Sequence, residues 1–199
     1  MFFNYTNIID PILKSVRVEM LKAAALKKES VVLDVCCGTG DQAFYYAQES
    51  DNVFGIDLDP AMINFANKRK QKENSNACFK IADASNLPFS DDYFDTVSIC
   101  LALHEKSEEL RNKIITEMKR VAKQGGEIII VDYIVPMPNN FTSLLIRTIE
   151  RFAGKEHFSY FNDFLKKEGL RELLKQNNLS VQSSKLVANG TMELVKIVN

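Results

Sequence analysis

The 199-residue chain has no tryptophan, two histidines, four cysteines and no apolar run approaching the ~20 residues that a membrane-spanning helix requires. A membrane span is therefore not expected. The opening Met1-Phe2-Phe3-Asn4-Tyr5 lacks the basic start and apolar stretch of a secretory signal. None of Cys36, Cys37, Cys78 and Cys100 belongs to a C-x-x-C pair, and no paired Cys/His spacing exists, so neither a zinc site nor another metal centre is expected. Three of these thiols fall inside or at the ends of apolar strand-like runs, where cysteine acts as a small hydrophobe. A reducing, cytoplasmic setting without disulfides follows. The formal net charge is −1, which argues against a protein that coats nucleic acid or an anionic membrane. Lys68–Lys72, the densest basic stretch, is broken by Gln71 and followed by Glu73, and reads as a solvated helix face. Internal repeats, low-complexity tracts and linkers are missing too, so residues 1–199 read as one domain.

With 46% hydrophobic and 26% charged residues, the chain can bury a sizeable core. Short apolar runs alternate with helical patterns, the mark of a βαβ architecture. The spacing predicts strands at Val31–Val35, Val53–Asp57, Cys78–Ala82, Phe94–Leu101 and Glu127–Ile134, with a first helix over about Pro11–Leu26. A second helix is expected over Gln42–Glu49. Asp59 is a good N-cap ahead of Pro60 for a third, which reaches Lys72. Ser107, followed by Glu108 and Glu109, starts a fourth, which the Gly125-Gly126 pair should stop near Lys123. Val181–Val187 and Met192–Val198 are strand-like around Asn189-Gly190, the strongest short hairpin signal, so the last two strands should pair antiparallel.

The chemistry gathers around Val35-Cys36-Cys37-Gly38-Thr39-Gly40-Asp41. A G-x-G turn after a strand shows only that backbone turns tightly or approaches a ligand. Asp57, 19 residues after Gly38, is placed to accept hydrogen bonds from a ribose diol, as in nicotinamide-binding folds. Asp34 is not typical of those folds: a carboxylate there would repel a pyrophosphate at the helix N-terminus. The same carboxylate would favour S-adenosylmethionine (SAM), which carries an ammonium and a sulfonium and no phosphate.

Together with Ala82-Asp83-Ala84-Ser85-Asn86-Leu87-Pro88-Phe89 and Met118–Glu127, these stretches resemble the class I SAM-dependent methyltransferase superfamily, and within it the quinone-biosynthesis C-methyltransferase type. The resemblance implies a Rossmann-like α/β fold: a seven-stranded, mostly parallel sheet with an antiparallel last strand and helices on both faces. It implies SAM as cofactor and S-adenosylhomocysteine as product. Backbone around Cys36, Gly38, Thr39 and Gly40 would pass along the methionine part, near Asp34. Asp57 would take the ribose hydroxyls, with Leu58 and Met62 on the adenine face. Asp83 would accept from the adenine amino group, and Ala84 would offer its N–H. Cys100 and Leu101 would border the methionine amino group.

Methyl transfer is an in-line substitution that alignment alone can accelerate strongly, and a base is needed only when the acceptor must lose a proton. His104, Tyr133, His157 and Tyr160 are the candidates for a base or orienting group. Residues 136–164 should form a substrate-side lid, with Leu145, Ile149 and Phe152 as either a core stripe or an apolar roof. Residues 1–28, with Tyr5 and Arg17, should form a helical cap. Cys100-Leu101-Ala102-Leu103 lacks the base-gripping pattern of DNA methyltransferases, so a small-molecule acceptor, apolar or planar, is expected, on a monomer or homodimer. A non-catalytic SAM-binding scaffold and an NAD-dependent oxidoreductase remain the alternatives.

Overall fold

The computed structural model describes residues 5–199, with side chains from Leu13 onward. Seven strands form one sheet: β1 (Val31–Val35), β2 (Asn52–Asp57), β3 (Cys78–Ile81), β4 (Phe94–Cys100), β5 (Ala122–Tyr133), β6 (Val181–Val187) and β7 (Met192–Val198). Their order is β3-β2-β1-β4-β5-β7-β6. β1 through β5 pair in parallel, and β7 runs antiparallel between β5 and β6. Ile128–Tyr133 is buried on both faces, which explains its lack of polar alternation. The outer strand β6 instead exposes Gln182, Ser183, Ser184 and Lys185, a polar edge that discourages pairing with another chain.

The helices are α1 (Tyr5–Ala24), α2 (Asp41–Tyr46), α3 (Pro60–Glu73), α4 (Glu108–Val121), α5 (Phe141–Phe152), α6 (Lys155–Lys166) and α7 (Gly169–Gln176). The crossovers through α2 and α3 move one way across the sheet, and the crossover through α4 moves the other. Right-handed connections therefore put α4 on the opposite face. The caps form as their residues dictate: Asp59 accepts from Ala61 N at 2.7 Å and Ser107 from Leu110 N at 3.3 Å.

Several boundaries differ from the sequence expectation. α1 starts at Tyr5 instead of Pro11, and the Tyr5 side chain lies outside the described residues. α2 ends at Tyr46, three residues early. α4 ends at Val121 without help from the glycine pair, because Ala122 already pairs with Phe94 as β5 begins. Asn199 Nδ2 then satisfies the carbonyls of Lys119 and Ala122, both at 2.9 Å. The β6–β7 hairpin turns through four residues, with Ala188, Asn189 and Gly190 all left-handed, and not through a two-residue Asn-Gly turn. On α5 the buried face is Thr142, Ser143, Ile146 and Glu150, so Leu145 and Ile149 are only half-buried and Phe152 is 84% exposed. The sequence stripe is therefore not core. His157 and Tyr160 lie within α6, not between two helices.

Gly40 has φ 81°, and a Cβ there would come within 2.7 Å of the Phe79 ring. Gly38 has φ 53° with open space around it. Gly40→Ala should therefore lower the thermal midpoint more than Gly38→Ala, whose cost is limited to the left-handed backbone, ~1 kcal/mol. Equal midpoints for the two variants in thermal unfolding would contradict the close approach of Phe79.

Candidate functional site

β1 is flanked by β2 on one side and β4 on the other, and the chain leaves it in opposite directions. Such a switch point opens a crevice beyond the carboxyl ends of the strands. Both strand ends turn sharply there: Cys36 has φ 55° and Leu101 has φ 53°, left-handed values that cost L-residues energy. Between them lies a cavity of about 230 Å³, walled by Asp34, Cys36, Gly38, Thr39, Cys100 and Leu101 and closed by Leu13, Val16 and Arg17 of α1. The structure thus brings six of the expected cofactor residues to one space. Gly40 stands behind the turn, where its N–H donates to Cys37 O at 2.9 Å.

The remaining expected residues extend from this cavity along the edge of β2. Asp57 accepts from Gly38 N with Oδ2 and from Asp59 N with Oδ1, both at 2.9 Å. This clamp fixes the carboxylate and the glycine turn against each other. Leu58 is 68% exposed, and Met62 is half-buried on the first turn of α3. Ala82 N donates to Asp57 O at 3.1 Å, which sets Asp83 and buried Ala84 beside the β2 edge. Asp83 Oδ1 accepts from both Ser85 N and Ser85 Oγ at 2.8 Å, and these bonds hold its carboxyl below the usual range.

Asp34, Asp41 and Gln42 form a polar side of an otherwise largely apolar cavity. Asp34 is 2% exposed, its Oδ1 accepts from Ser98 Oγ at 3.0 Å, and burial pushes its carboxyl up to about 7. Gln42 was not anticipated from sequence. Its Nε2 donates to Arg17 O at 3.4 Å, while its buried Oε1 has no partner among the described residues. A desolvated carboxyl on the cavity wall favours a cationic ligand. Asp41 binds Thr39 Oγ1 at 2.9 Å and Arg17 at 3.1 Å, and it also pairs with Arg69. α1, α2 and α3 are thereby tied around the turn. The residues present fit the ammonium and sulfonium of SAM, and they would oppose a pyrophosphate.

A second polar cluster occupies the carboxyl edge of β4 and β5. His104 is 3% exposed; its Nδ1 meets Asp132 Oδ1 at 2.8 Å and its Nε2 lies 3.4 Å from Glu150 Oε1. Tyr133 donates its hydroxyl to Glu150 Oε1 at 2.8 Å. His157 pairs with Glu150 through Nε2 and lies 3.2 Å from Glu105 Oε2 through Nδ1. Burial opposes charge on His104, but Asp132 and Glu150 outweigh it and raise its pKa well above the ordinary imidazole value. Burial likewise opposes ionisation of Glu150, yet His104, Tyr133 and His157 hold its carboxyl low. Three of the four catalytic candidates therefore meet. Tyr160 does not: its hydroxyl donates to Glu156 at 3.0 Å on the outer side of α6.

Asp132, Glu150 and Arg111 are cluster residues that the sequence reading missed. Arg111, 3% exposed, donates to Leu103 O at 2.9 Å, Tyr160 O at 2.9 Å and Asp163 at 3.2 Å, clamping α6 to the loop that carries His104. Asp132 was the most legible of the three, being an acid inside the otherwise apolar run Ile128–Tyr133.

A family model described as a methyltransferase domain matches residues 32–126, the stretch from β1 through α4 into β5. An uncharacterized methyltransferase of Synechocystis sp. is 29% identical over 88% of this chain and 79% of its own length. A 2-phytyl-1,4-naphtoquinone methyltransferase of Nostoc punctiforme is 28% identical over 89% and 84%. A demethylmenaquinone methyltransferase of Lactobacillus johnsonii is 29% identical, and the chain spans 59% of its length. Among solved structures, a SAM-dependent methyltransferase from Aquifex aeolicus shares the fold with a TM-score of 0.67 at 20% identity, covering 98% of both chains. The YcgJ protein of Bacillus gives 0.69 at 21% identity, covering 93% of this chain and 96% of that one. The domain match falls on the same turn that the acid-lined crevice surrounds, and residues 32–126 of the chain form a methyltransferase domain.

Proposed function

We propose that this methyltransferase acts on a small, planar acceptor of the quinol type, with the acid-walled crevice holding SAM beside it. The observation that carries the cofactor half is the buried carboxyl of Asp34 on the wall of the cavity at the switch point. The acceptor half is supported by the two quinone-methylating relatives and by the aromatic surroundings of the second cluster, where His104 lies 4.6 Å from the Tyr133 ring and 6.0 Å from the Phe161 ring.

In this reading Gly38, Thr39 and Cys36 present backbone to the methionine part, with Cys100 and Leu101 across from them. Asp57 receives the ribose hydroxyls, Leu58 and Met62 cover the adenine, and Asp83 with Ala84 meets its polar edge. Bound SAM would supply an electrophilic methyl: the acceptor's electron pair would bond to it as the methyl–sulfur bond breaks, S-adenosylhomocysteine would leave as a neutral thioether, and the proton the quinol loses would pass to solvent. The chain's own contribution is alignment and exclusion of water. Neither histidine is a free base, because both nitrogens of each face carboxylates. His104, Tyr133 and His157 instead act as a fixed polar wall that positions the acceptor. α5 and α6, within 136–164, roof this space. Among the described residues no helix is long and apolar enough to cross a membrane.

Calorimetry should show SAM and S-adenosylhomocysteine binding and no NAD binding. Mass spectrometry should show a methyl added to reduced naphthoquinones that lack a ring methyl. SAM binding with turnover only on amine acceptors would overturn the quinol assignment, and SAM binding without turnover on any acceptor would favour a scaffold. Asp57→Asn should weaken SAM binding by roughly 10- to 100-fold, the worth of one or two charge-assisted hydrogen bonds. Unchanged affinity would remove Asp57 from the ribose site.

Asp34 should trade stability for affinity. Its folded pKa lies near 7, above the ~4 of an unfolded chain. The native state therefore holds an extra proton between those values, and stability falls as pH rises through that window. Above pH 7 the cost is fully present, so Asp34→Asn should stabilise the ligand-free protein at pH 8 by ~1–3 kcal/mol. Binding of a cation favours the ionised carboxylate, so wild-type SAM affinity should rise from pH 6 to 8, and that slope should vanish in Asp34→Asn. A parallel pH slope in both proteins would exclude Asp34 from the cofactor site.

A further inference from the structure

His104, Glu150 and His157 come from three different elements: the loop after β4, the inner face of α5 and the first turn of α6. One donor atom from each lies within 4.8 Å of the others. The two imidazoles share a pattern of partners. Each directs Nε2 at the Glu150 carboxylate and has a second carboxylate on Nδ1, Asp132 for His104 and Glu105 for His157. Metal-ligating histidines show this same arrangement, in which an outer carboxylate fixes the tautomer and turns the other nitrogen inward.

We infer that His104 Nε2, His157 Nε2 and Glu150 form a binding site for a divalent transition ion of the zinc class. Two imidazoles and one carboxylate are the donor set such an ion takes with three protein ligands and one open position. The 3.4 Å between His104 Nε2 and Glu150 Oε1 matches the ~3.3 Å between neighbouring ligands of a tetrahedral ion with bonds of ~2.0 Å, whereas His157 Nε2 touches Glu150 Oε2 directly and draws back to admit the ion. Charge also closes. Glu105 is already paired with Lys106 at 2.6 Å, so a dication between neutral imidazoles balances buried Asp132 and Glu150. His157 is the ligand with access to solvent, its side chain 24% exposed against 4% and 3% for His104 and Glu150, so the fourth position opens on its side. There the ion takes water or an acceptor oxygen, and it staples α5 and α6 to the sheet edge. The sequence reading excluded zinc on Cys/His spacing alone, and His104 and His157 stand far apart in the chain with a glutamate as the third ligand.

The full chain, stripped with a chelator and desalted, is titrated with Zn²⁺ by calorimetry and with Co²⁺ by visible absorption, beside His157→Ala and Glu150→Gln. The wild type should bind ~1 equivalent with roughly micromolar or tighter affinity, show the d–d bands of four-coordinate Co²⁺, and gain thermal stability on Zn²⁺ addition. His157→Ala, altered at the most exposed ligand, should keep the wild-type circular dichroism and lose the bands and at least ~10-fold in affinity. Should Glu150→Gln fail to fold, His157→Ala still decides the matter. No stoichiometric binding to the wild type overturns the site. So does binding that His157→Ala retains, which is what the four free thiols, Cys36, Cys37, Cys78 and Cys100, would produce. Binding is read without turnover, so its failure leaves the methyl-transfer proposal untouched.

Discussion

Asp132, with no solvent exposure at the end of β5, holds together the carboxyl edge of the sheet. Its Oδ2 accepts from Leu103 N at 3.1 Å and His104 N at 3.2 Å, and its Oδ1 meets His104 Nδ1 and Tyr133 N, each at 2.8 Å. One carboxylate thereby bends the exit of β4 back over β5 and sets the rotation of the His104 ring. A buried carboxylate is tolerable only when its lone pairs are filled in this way. The loop that Asp132 shapes then supplies Leu103 O to Arg111, and Arg111 holds α6. The position of His157, and hence the second cluster, descends from that chain of contacts.

The crevice at the switch point rests on a different constraint. Parallel strands end with carbonyls and N–H groups that need partners, and at the switch point two adjacent ends face an opening instead of a helix. Cys36 and Leu101 accept left-handed backbone there, and the Gly38 N–H is held by Asp57. Strain of ~1–3 kcal/mol at each such residue survives only where the surrounding packing overdetermines it. Here the fully buried Val35 and Ile99 provide that packing just before the two turns. The two sites are thus built by opposite means: strained backbone around the crevice, and filled side-chain valences around His104.

This difference decides what could be read from sequence. Strand cores, the Asp59 and Ser107 caps, and the glycine turn with Asp34 and Asp57 are local patterns, and the structure places them within a few residues of expectation. The cluster around His104 is nonlocal. Glu150 on an amphipathic helix is indistinguishable from a solvated acid until the fold shows which side of α5 turns inward, and the apolar Leu145, Ile149 and Phe152 pointed to the wrong side. Tyr160 stands apart from the cluster for the same reason: α6 turns Phe161 and Phe164 into the core, which leaves Tyr160 beside Glu156. Four residues instead of two in the β6–β7 turn show the limit of a dipeptide rule, because Ala188 also takes the left-handed conformation.

The attachment of α5 and α6 follows from the same chemistry. α5 buries Thr142, Ser143 and Glu150 along with Ile146, while Phe141, Leu144 and Phe152 face outward. A helix seated through polar groups gains little net stability from docking, because desolvation offsets most of the attraction between buried charges. Removing one partner is costly, however, since the other charge is then left dry and unpaired. Such a contact discriminates sharply between seated and unseated geometries without adding much to the total stability. An apolar seat would tolerate sliding by several ångströms; Glu150 shared among His104, Tyr133 and His157 does not. Hydrogen-bond directionality therefore fixes how α5 and α6 sit on the carboxyl edge of the sheet, and hydrophobic packing in the sheet supplies the stability that lets their seat be polar.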